Sequence, residues 1–271
     1  MTLLRGNRLF GALLGFCAVL ALVFLAIPII SLLTAIAPSR LLDLLTRPAA
    51  LDALVVTIQT NLVANALILM IGTPAAYLLA RRSFRGRNIV LTAIEVPLVL
   101  PPAVAGIALL AAFGTTGMLG KTLAEHGLVL PFTELAVVLA VTFVAAPFYL
   151  RAAISAFSLV DRDTLDAARD LGASEGALFV RIALPLAAEG LRTGWALAFA
   201  RGIGEFGATL LFAGSVMKVT QTLPLAVYAE LAVDLDAAIA VGLLLLLIST
   251  AVLLVSKLPT TWTPSITRAD W

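Results

Sequence analysis

Charge is scarce in this sequence. Of its 271 residues only 13% are Asp, Glu, Lys or Arg, against roughly a quarter in a soluble domain. Hydrophobic residues make up 61% and the mean hydropathy is +1.08, which excludes an ordinary soluble fold. The formal net charge of +2 is too small to point to nucleic acid. Cysteine is nearly absent: Cys17 alone rules out an internal disulfide, and its place in an apolar run makes it a small lipid- or helix-facing residue. Histidine is equally rare: His126, beside Gly127, is the only one, and a lone histidine makes a poor metal ligand, so it reads as solvated. No G-x-x-x-x-G-K-[ST] phosphate loop is present, so this chain has no such site for hydrolysing ATP.

What the sequence has instead is long uncharged runs. Residues 9–39 carry no charge, and neither do residues 53–80. Each exceeds the roughly 20 residues that a membrane-crossing helix needs. The first is too long for the apolar core of a secretory signal, so an uncleaved helix is expected over about 9–36, with Pro28 as a possible kink. Further spans are expected at about 54–80, 89–113, 135–157, 191–212 and 237–255. That is a six-span, all-α, polytopic membrane protein. Prolines punctuate it at Pro74, Pro97, Pro101, Pro102 and Pro147.

Basic residues sort by side. With the N-terminus in the cytoplasm, six spans return the C-terminus there. Thirteen of the eighteen Lys and Arg residues, including Arg5, Arg81, Arg82, Arg85, Arg87 and Arg268, then face the cytoplasm. Arg40, Arg47, Lys121 and Lys218 face outward, and Arg201 lies within a span. This asymmetry obeys the positive-inside rule. It also places the longest polar interruption, Asp161 to Pro185, in the cytoplasm. That stretch reads as helix, glycine turn, helix: Asp163 or Thr164 as first cap, Asp166 in the opening turn, Gly172 at the left-handed end, Ser174 and Glu175 as a second start, and Pro185 as a stop. Such a knob offers a grip to a soluble partner. The outer segments 114–133 and 214–236 are moderately polar, suited to dipping into the membrane or to meeting an external partner.

Two features lie at membrane depth. Arg201 and Glu205, four residues apart, are expected on one helix face and within pairing reach. They either hold spans together or border a path, with Gly202, Gly204 and Gly207 allowing close helix approach. The run Glu95 to Gly106, with Pro97, Pro101 and Pro102, predicts a kinked helix that serves a gate or packing alone.

The spacing within the knob resembles a known pattern. Asp166-Ala167-Ala168, three residues, Gly172, nine residues, then Ile182-Ala183-Leu184-Pro185 is similar to the E-A-A loop of ABC-importer permeases, with Asp166 in place of glutamate. Leu100-Pro101-Pro102-Ala103-Val104-Ala105-Gly106 resembles the L-P-P-x-V-x-G segment of molybdate and sulfate permeases. Gly204-Glu205-Phe206-Gly207-Ala208-Thr209 and Thr220 to Tyr228 are similar to segments of the molybdate type. A departure is Gly214 to Val219, where that type carries an Asn-Ile-Pro-Gly-like turn.

The resemblance, over roughly residues 50–255, implies a type I ABC-importer permease fold and a multi-pass protein of a bacterial or archaeal cell membrane. Residues 1–271 would form one transmembrane domain: a variable first helix at about 9–36 and a permease core at about 50–255 containing the 161–185 loop. It implies a non-catalytic transport subunit that binds no cofactor, with ATP and Mg²⁺ held by a cytoplasmic ATPase dimer. The other implied partners are a periplasmic or extracellular oxyanion-binding protein, a second copy of the permease and membrane lipid. The implied coupling residues are Asp166, Ala167, Ala168, Gly172, Ile182, Leu184 and Pro185. Those of the path or gate are Pro101, Pro102, Gly106, Arg201, Glu205, Phe206 and Gly207. Molybdate is the expected solute, with sulfate, thiosulfate or tungstate as alternatives. A self-contained channel or ion-driven transporter would leave the spacing of the 161–185 loop unexplained, and a scaffold would leave the proline-rich third span and the Arg201–Glu205 pair without a purpose.

Overall fold

The structure is a computed structural model that describes residues 8–258. Arg5, Arg268 and both chain termini, which the charge argument placed in the cytoplasm, lie outside the described residues. Every regular element among the described residues is helical.

Four helices cross unaided. They are α1 (Arg8–Thr34), α3 (Pro48–Arg81), α7 (Glu134–Leu159) and α13 (Leu235–Ser256), each long and apolar enough to span a membrane. The other two expected spans are broken. The third is α4 (Arg87–Val99) followed by α5 (Pro102–Phe113), bent by 116°. The fifth is the helical run Glu175–Ile203, whose last part is α10 (Leu184–Ile203), followed by α11 (Gly207–Ala213) and bent by 58°. Six spans therefore hold only when each broken pair counts as one. Between them lie α2 (Pro38–Leu45), α6 (Gly120–Glu125), α8 (Arg162–Asp170), α9 (Glu175–Leu178) and α12 (Leu223–Glu230).

The first break corrects the expectation of a single kinked helix. One proline costs a helix one hydrogen bond, whereas two in succession remove two donors and force the preceding residues out of helical backbone. Leu100 (φ −66°, ψ 130°) and Pro101 (φ −54°, ψ 138°) are accordingly extended. Pro102 then opens α5, where its missing N–H costs nothing. Pro28, Pro74, Pro97 and Pro147 stay inside their helices.

The core is built on α7. Ala140, Ala145 and Ala153 of α7 are fully buried, which brings α3 and α10 into close packing against it. At one end, Arg40 pairs with Asp236 at 2.7 Å and Arg47 with Asp234 at 3.0 Å, tying α2 and the start of α3 to the start of α13. Asp234 also caps α13, accepting from the Asp236 and Ala237 amides. Hydrogen bonding to Ala237 and Arg47 holds its carboxyl below the usual carboxylate range. By contrast α1 buries none of its span within the chain, and Cys17 on it is exposed. His126 is exposed too, its Nδ1 2.8 Å from the Thr122 carbonyl.

Candidate functional site: paired helix breaks and a coupling knob

The two breaks meet. A Cβ added to Gly207 would stand 2.6 Å from Pro102 Cβ and 3.0 Å from the Pro102 carbonyl carbon. One added to Gly106 would stand 2.8 Å from Leu211 Cβ and 3.0 Å from the Ala208 carbonyl oxygen. Only hydrogen fits at either position, so α5 and α11 pack backbone to backbone. Ala105 and Ala208, 1% and 0% exposed, complete the contact. Pro102, Gly106 and Gly207, candidates from two different spans, are thus brought together. Pro101 is exposed at the rim.

The charged pair also forms, but across a break. α10 ends at Ile203, so Arg201 sits in its last turn while Glu205 lies beyond it, just ahead of α11. The expectation of one continuous helix face is corrected. The reason is electrostatic as well as geometric: a cation suits the C-terminal end of α10 and an anion the N-terminal end of α11. Glu205 Oε1 accepts from the Ala208 amide at 2.7 Å, so the carboxylate caps α11. Its Oε2 lies 2.6 Å from Arg201 Nη2, an ionic contact whose angle leaves Oε2 without a hydrogen bond. Glu205 is sealed, with 1% of its side chain exposed, whereas Arg201 retains 28%. The remaining Arg201 donors are therefore the accessible charge of this junction. Phe206 packs at 5.3 Å against Tyr228 of α12, the rings tilted by 53°, joining that helix to the break.

A polar column on α3, uncharged and set within an apolar run, holds the junction from behind. Thr57, Thr60, Asn61 and Asn65 are all buried and recur at helical spacing. Asn61 Nδ2 donates to the Phe199 carbonyl at 3.2 Å, one turn before the break in α10. Asn65 Nδ2 donates to the Asn61 carbonyl and side-chain oxygens at 2.9 and 3.0 Å. Thr57 Oγ1 accepts from the Leu223 amide at 2.7 Å, serving the first turn of α12. Gly202 leaves room for Asn61, since any side chain there would collide with the amide. The signal was available: polar residues at membrane depth on one helix face.

The 161–185 stretch folds into the expected helix–turn–helix, with three corrections. The first cap is Asp161, whose Oδ1 accepts from the Asp163 amide at 3.2 Å, rather than Asp163 or Thr164. The acidic residue of the opening turn is accordingly Asp163, and Asp166 falls one turn later. Pro185 does not stop the chain. Residues Phe179–Ala183 form a π-helical turn that runs directly into α10, with Pro185 in its opening turn. The wider π turn accommodates a proline that would otherwise clash with the carbonyl four residues back. Gly172 does adopt the left-handed backbone, φ +88°, and Ser174 Oγ caps α9 by accepting from Ala177 at 3.3 Å.

Arg169 laces the knob. Its Nε donates to Glu175 Oε1 at 2.7 Å across the glycine turn, and its Nη1 pairs with Asp166. The Arg169 hydrogen bond holds the Glu175 carboxyl below its ordinary value, and Glu175 raises Arg169 in return. Leu165 and Leu178, 3% and 0% exposed, anchor the knob to the core, where Tyr77 packs edge-on against Phe157 at 5.3 Å. Ala168, Ile182 and Leu184 are half-buried against the same cluster. Asp166, Ala167, Gly172 and Pro185 are exposed, and Leu171 projects at the tip with 90% of its surface free. The candidate residues thus divide into an anchoring set and a presented set.

Residues 68–258 match the family described as binding-protein-dependent transport system inner membrane component. The chain belongs to that family. It is a multi-pass inner-membrane permease subunit of an ABC transporter, a non-catalytic role in which the ATPase is a separate subunit. It is 40% identical over 237 residues to the molybdenum transport system permease protein of Mycobacterium tuberculosis, covering 88% of this chain and 90% of that one. A probable molybdenum ABC transporter permease of Haloferax volcanii is also 40% identical, over 88% of this chain and 87% of its own length. The sulfate transport system permease protein of a Synechocystis species is 32% identical, over 89% of this chain and 86% of its own. Among solved structures, a bacterial alginate ABC transporter in complex with its periplasmic protein shares the fold, with a TM-score of 0.71, 17% identity and 92% of each chain covered.

Proposed function

We propose that this permease imports molybdate, delivered by an external oxyanion-binding protein and driven by a cytoplasmic ATPase dimer that holds ATP and Mg²⁺. The observation that carries the solute assignment is the 40% identity, across nearly the whole chain, to the mycobacterial molybdenum permease. Sulfate is the second reading, favoured by the Synechocystis relative at 32%.

The geometry supplies a mechanism. Residues 1–271 act as one transmembrane domain with both termini in the cytoplasm, as the arginine distribution favours. Two copies face each other to form a path, each contributing the junction of α5 and α11. An oxyanion leaving water needs positive charge that is already in place. Arg201 provides it, because Glu205 is turned inward to cap α11 and cannot meet the solute. Pro101, Pro102, Gly106, Phe206 and Gly207 form the moving contact: rigid half-helices on either side of a break transmit a rotation without bending. The presented face of the knob, Asp166, Ala167 and Gly172 with Leu171, enters a groove on the ATPase. Ile182, Leu184 and Pro185 carry its displacement into α10 through the π turn. Closure of the ATPase dimer thereby opens the junction outward.

The test is ATP hydrolysis by the reconstituted permease–ATPase complex with its binding protein loaded in turn with molybdate, tungstate and sulfate. Molybdate-loaded protein is expected to stimulate most. Stimulation by sulfate alone would overturn the solute, and indifference to the binding protein would overturn the importer mechanism.

A further inference from the structure

A cleft of about 600 Å³ lies between the end of α3 and the knob, within the roughly 300–1,000 Å³ of ligand-holding clefts. Arg81, Arg82, Arg162 and Arg169 line it, opposed only by Asp166 and Glu175. Four guanidiniums against two carboxylates leave a surplus of two positive charges, and Arg169 already satisfies both acids. Arg81 is fixed in place, its Nη2 donating to the Val160 carbonyl at 2.8 Å, while its Nε is buried with no protein partner among the described residues. A built, unspent cationic site at a helix end is suited to a phosphate-type oxyanion.

The surroundings select the source of that phosphate. Val63, Met70, Ile71 and Leu78 recur along one face of α3 and are 50%, 67%, 63% and 48% exposed. This apolar stripe descends a membrane-spanning helix, and Leu78 lines the cleft itself. A free anion has no use for such a stripe, whereas an acyl chain lies along it. We propose that the cleft binds the headgroup of an anionic phospholipid from the adjoining leaflet, with its chains on the α3 stripe and its phosphate among Arg81, Arg82 and Arg162. A bound lipid would brace the knob against α3, making coupling sensitive to membrane charge. The inference rests on the membrane-spanning fold and not on the transported solute.

Thermal unfolding of the purified full-length permease in detergent tests it, with phosphatidylglycerol, phosphatidylcholine of matched chains, or inorganic phosphate added. Saturable stabilisation by phosphatidylglycerol alone is expected. Arg82→Gln and Arg162→Gln should each weaken that response about tenfold, the worth of one hydrogen bond between charged groups. Arg85→Gln, exposed in the same loop but outside the cleft, should leave it unchanged. Equal loss in Arg85→Gln would reduce the effect to diffuse surface charge and overturn the site. Saturation by inorganic phosphate alone would make it a free-oxyanion site. No stabilisation by phosphatidylglycerol beyond that by phosphatidylcholine would overturn the lipid site. None of these outcomes bears on which solute is carried, so that assignment stands or falls separately.

Discussion

The knob and the paired breaks are both helix–interruption–helix, yet opposite physics holds them together. The knob is capped by exposed side chains, turned by one left-handed glycine in open space and laced by a solvated arginine. Each contact is weak, and the loss of one leaves the others. The junction is sealed: a carboxylate 1% exposed caps α11, and two glycines meet backbone with no space to spare. Its contacts are few, strong and mutually dependent. A surface that docks a partner tolerates small adjustments, whereas a hinge in a membrane must hold its charges and backbone within one close-packed arrangement.

The largest effect is expected from Glu205→Ala, which removes the cap of α11 and strands Arg201. Loss of one partner from a buried pair costs about 3–5 kcal/mol, and the 28% exposure of Arg201 places this case at the low end. Thermal unfolding in detergent should show it, and Glu205→Gln, which retains an acceptor for the Ala208 amide, should recover part of the loss. Gly207→Val comes next, at about 1–3 kcal/mol of overpacking against Pro102. Equal stability of that variant and wild type would break the contrast, because the junction would then be as loose as the knob.

In the knob the expected costs are smaller. Gly172→Ala meets no neighbour but must hold a left-handed backbone, at about 1–2 kcal/mol. Ser174→Ala loses a cap worth about 0.5–2 kcal/mol, at the low end because the site is exposed. The smallest effect is with pH. Glu175 is depressed by Arg169, so its contribution is fully present above the ordinary glutamate value and is lost only as acid passes the lowered one. Knob order, followed by hydrogen exchange around Gly172, should therefore be flat from neutral pH down to the ordinary glutamate value and fall progressively from there through the lowered one. Loss beginning near neutrality would contradict the Arg169 lacing.

The same contrast explains what was legible in the sequence. Caps and a left-handed glycine are local, so the helix–turn–helix of 161–185 could be read directly, although its Arg169–Glu175 lacing could not. The misplaced cap at Asp163 and the supposed stop at Pro185 were local errors: Asp161 and the π turn compete with them over one turn of chain. The junction is non-local. Hydropathy located spans three and five, but a window average does not separate a kink from a 116° break. Glu205 was visible as a charge, not as the cap of a helix whose start no apolar pattern marked. Asn61 and Asn65 were diluted within an apolar run, and only the Phe199 carbonyl across from Asn61 gives them a purpose.

The central claim is a division of labour in which the knob transmits ATPase motion and the junction admits the solute. It is tested most directly by measuring molybdate uptake and ATP hydrolysis in the same proteoliposomes, with loaded binding protein, for wild type and Asp166→Lys. The charge reversal sits on the exposed face of the knob, beside Arg169 and far from the sealed pair. The predicted result is an intact, inserted complex that hydrolyses ATP without stimulated uptake. Stimulated uptake at the wild-type rate would remove the knob from the mechanism.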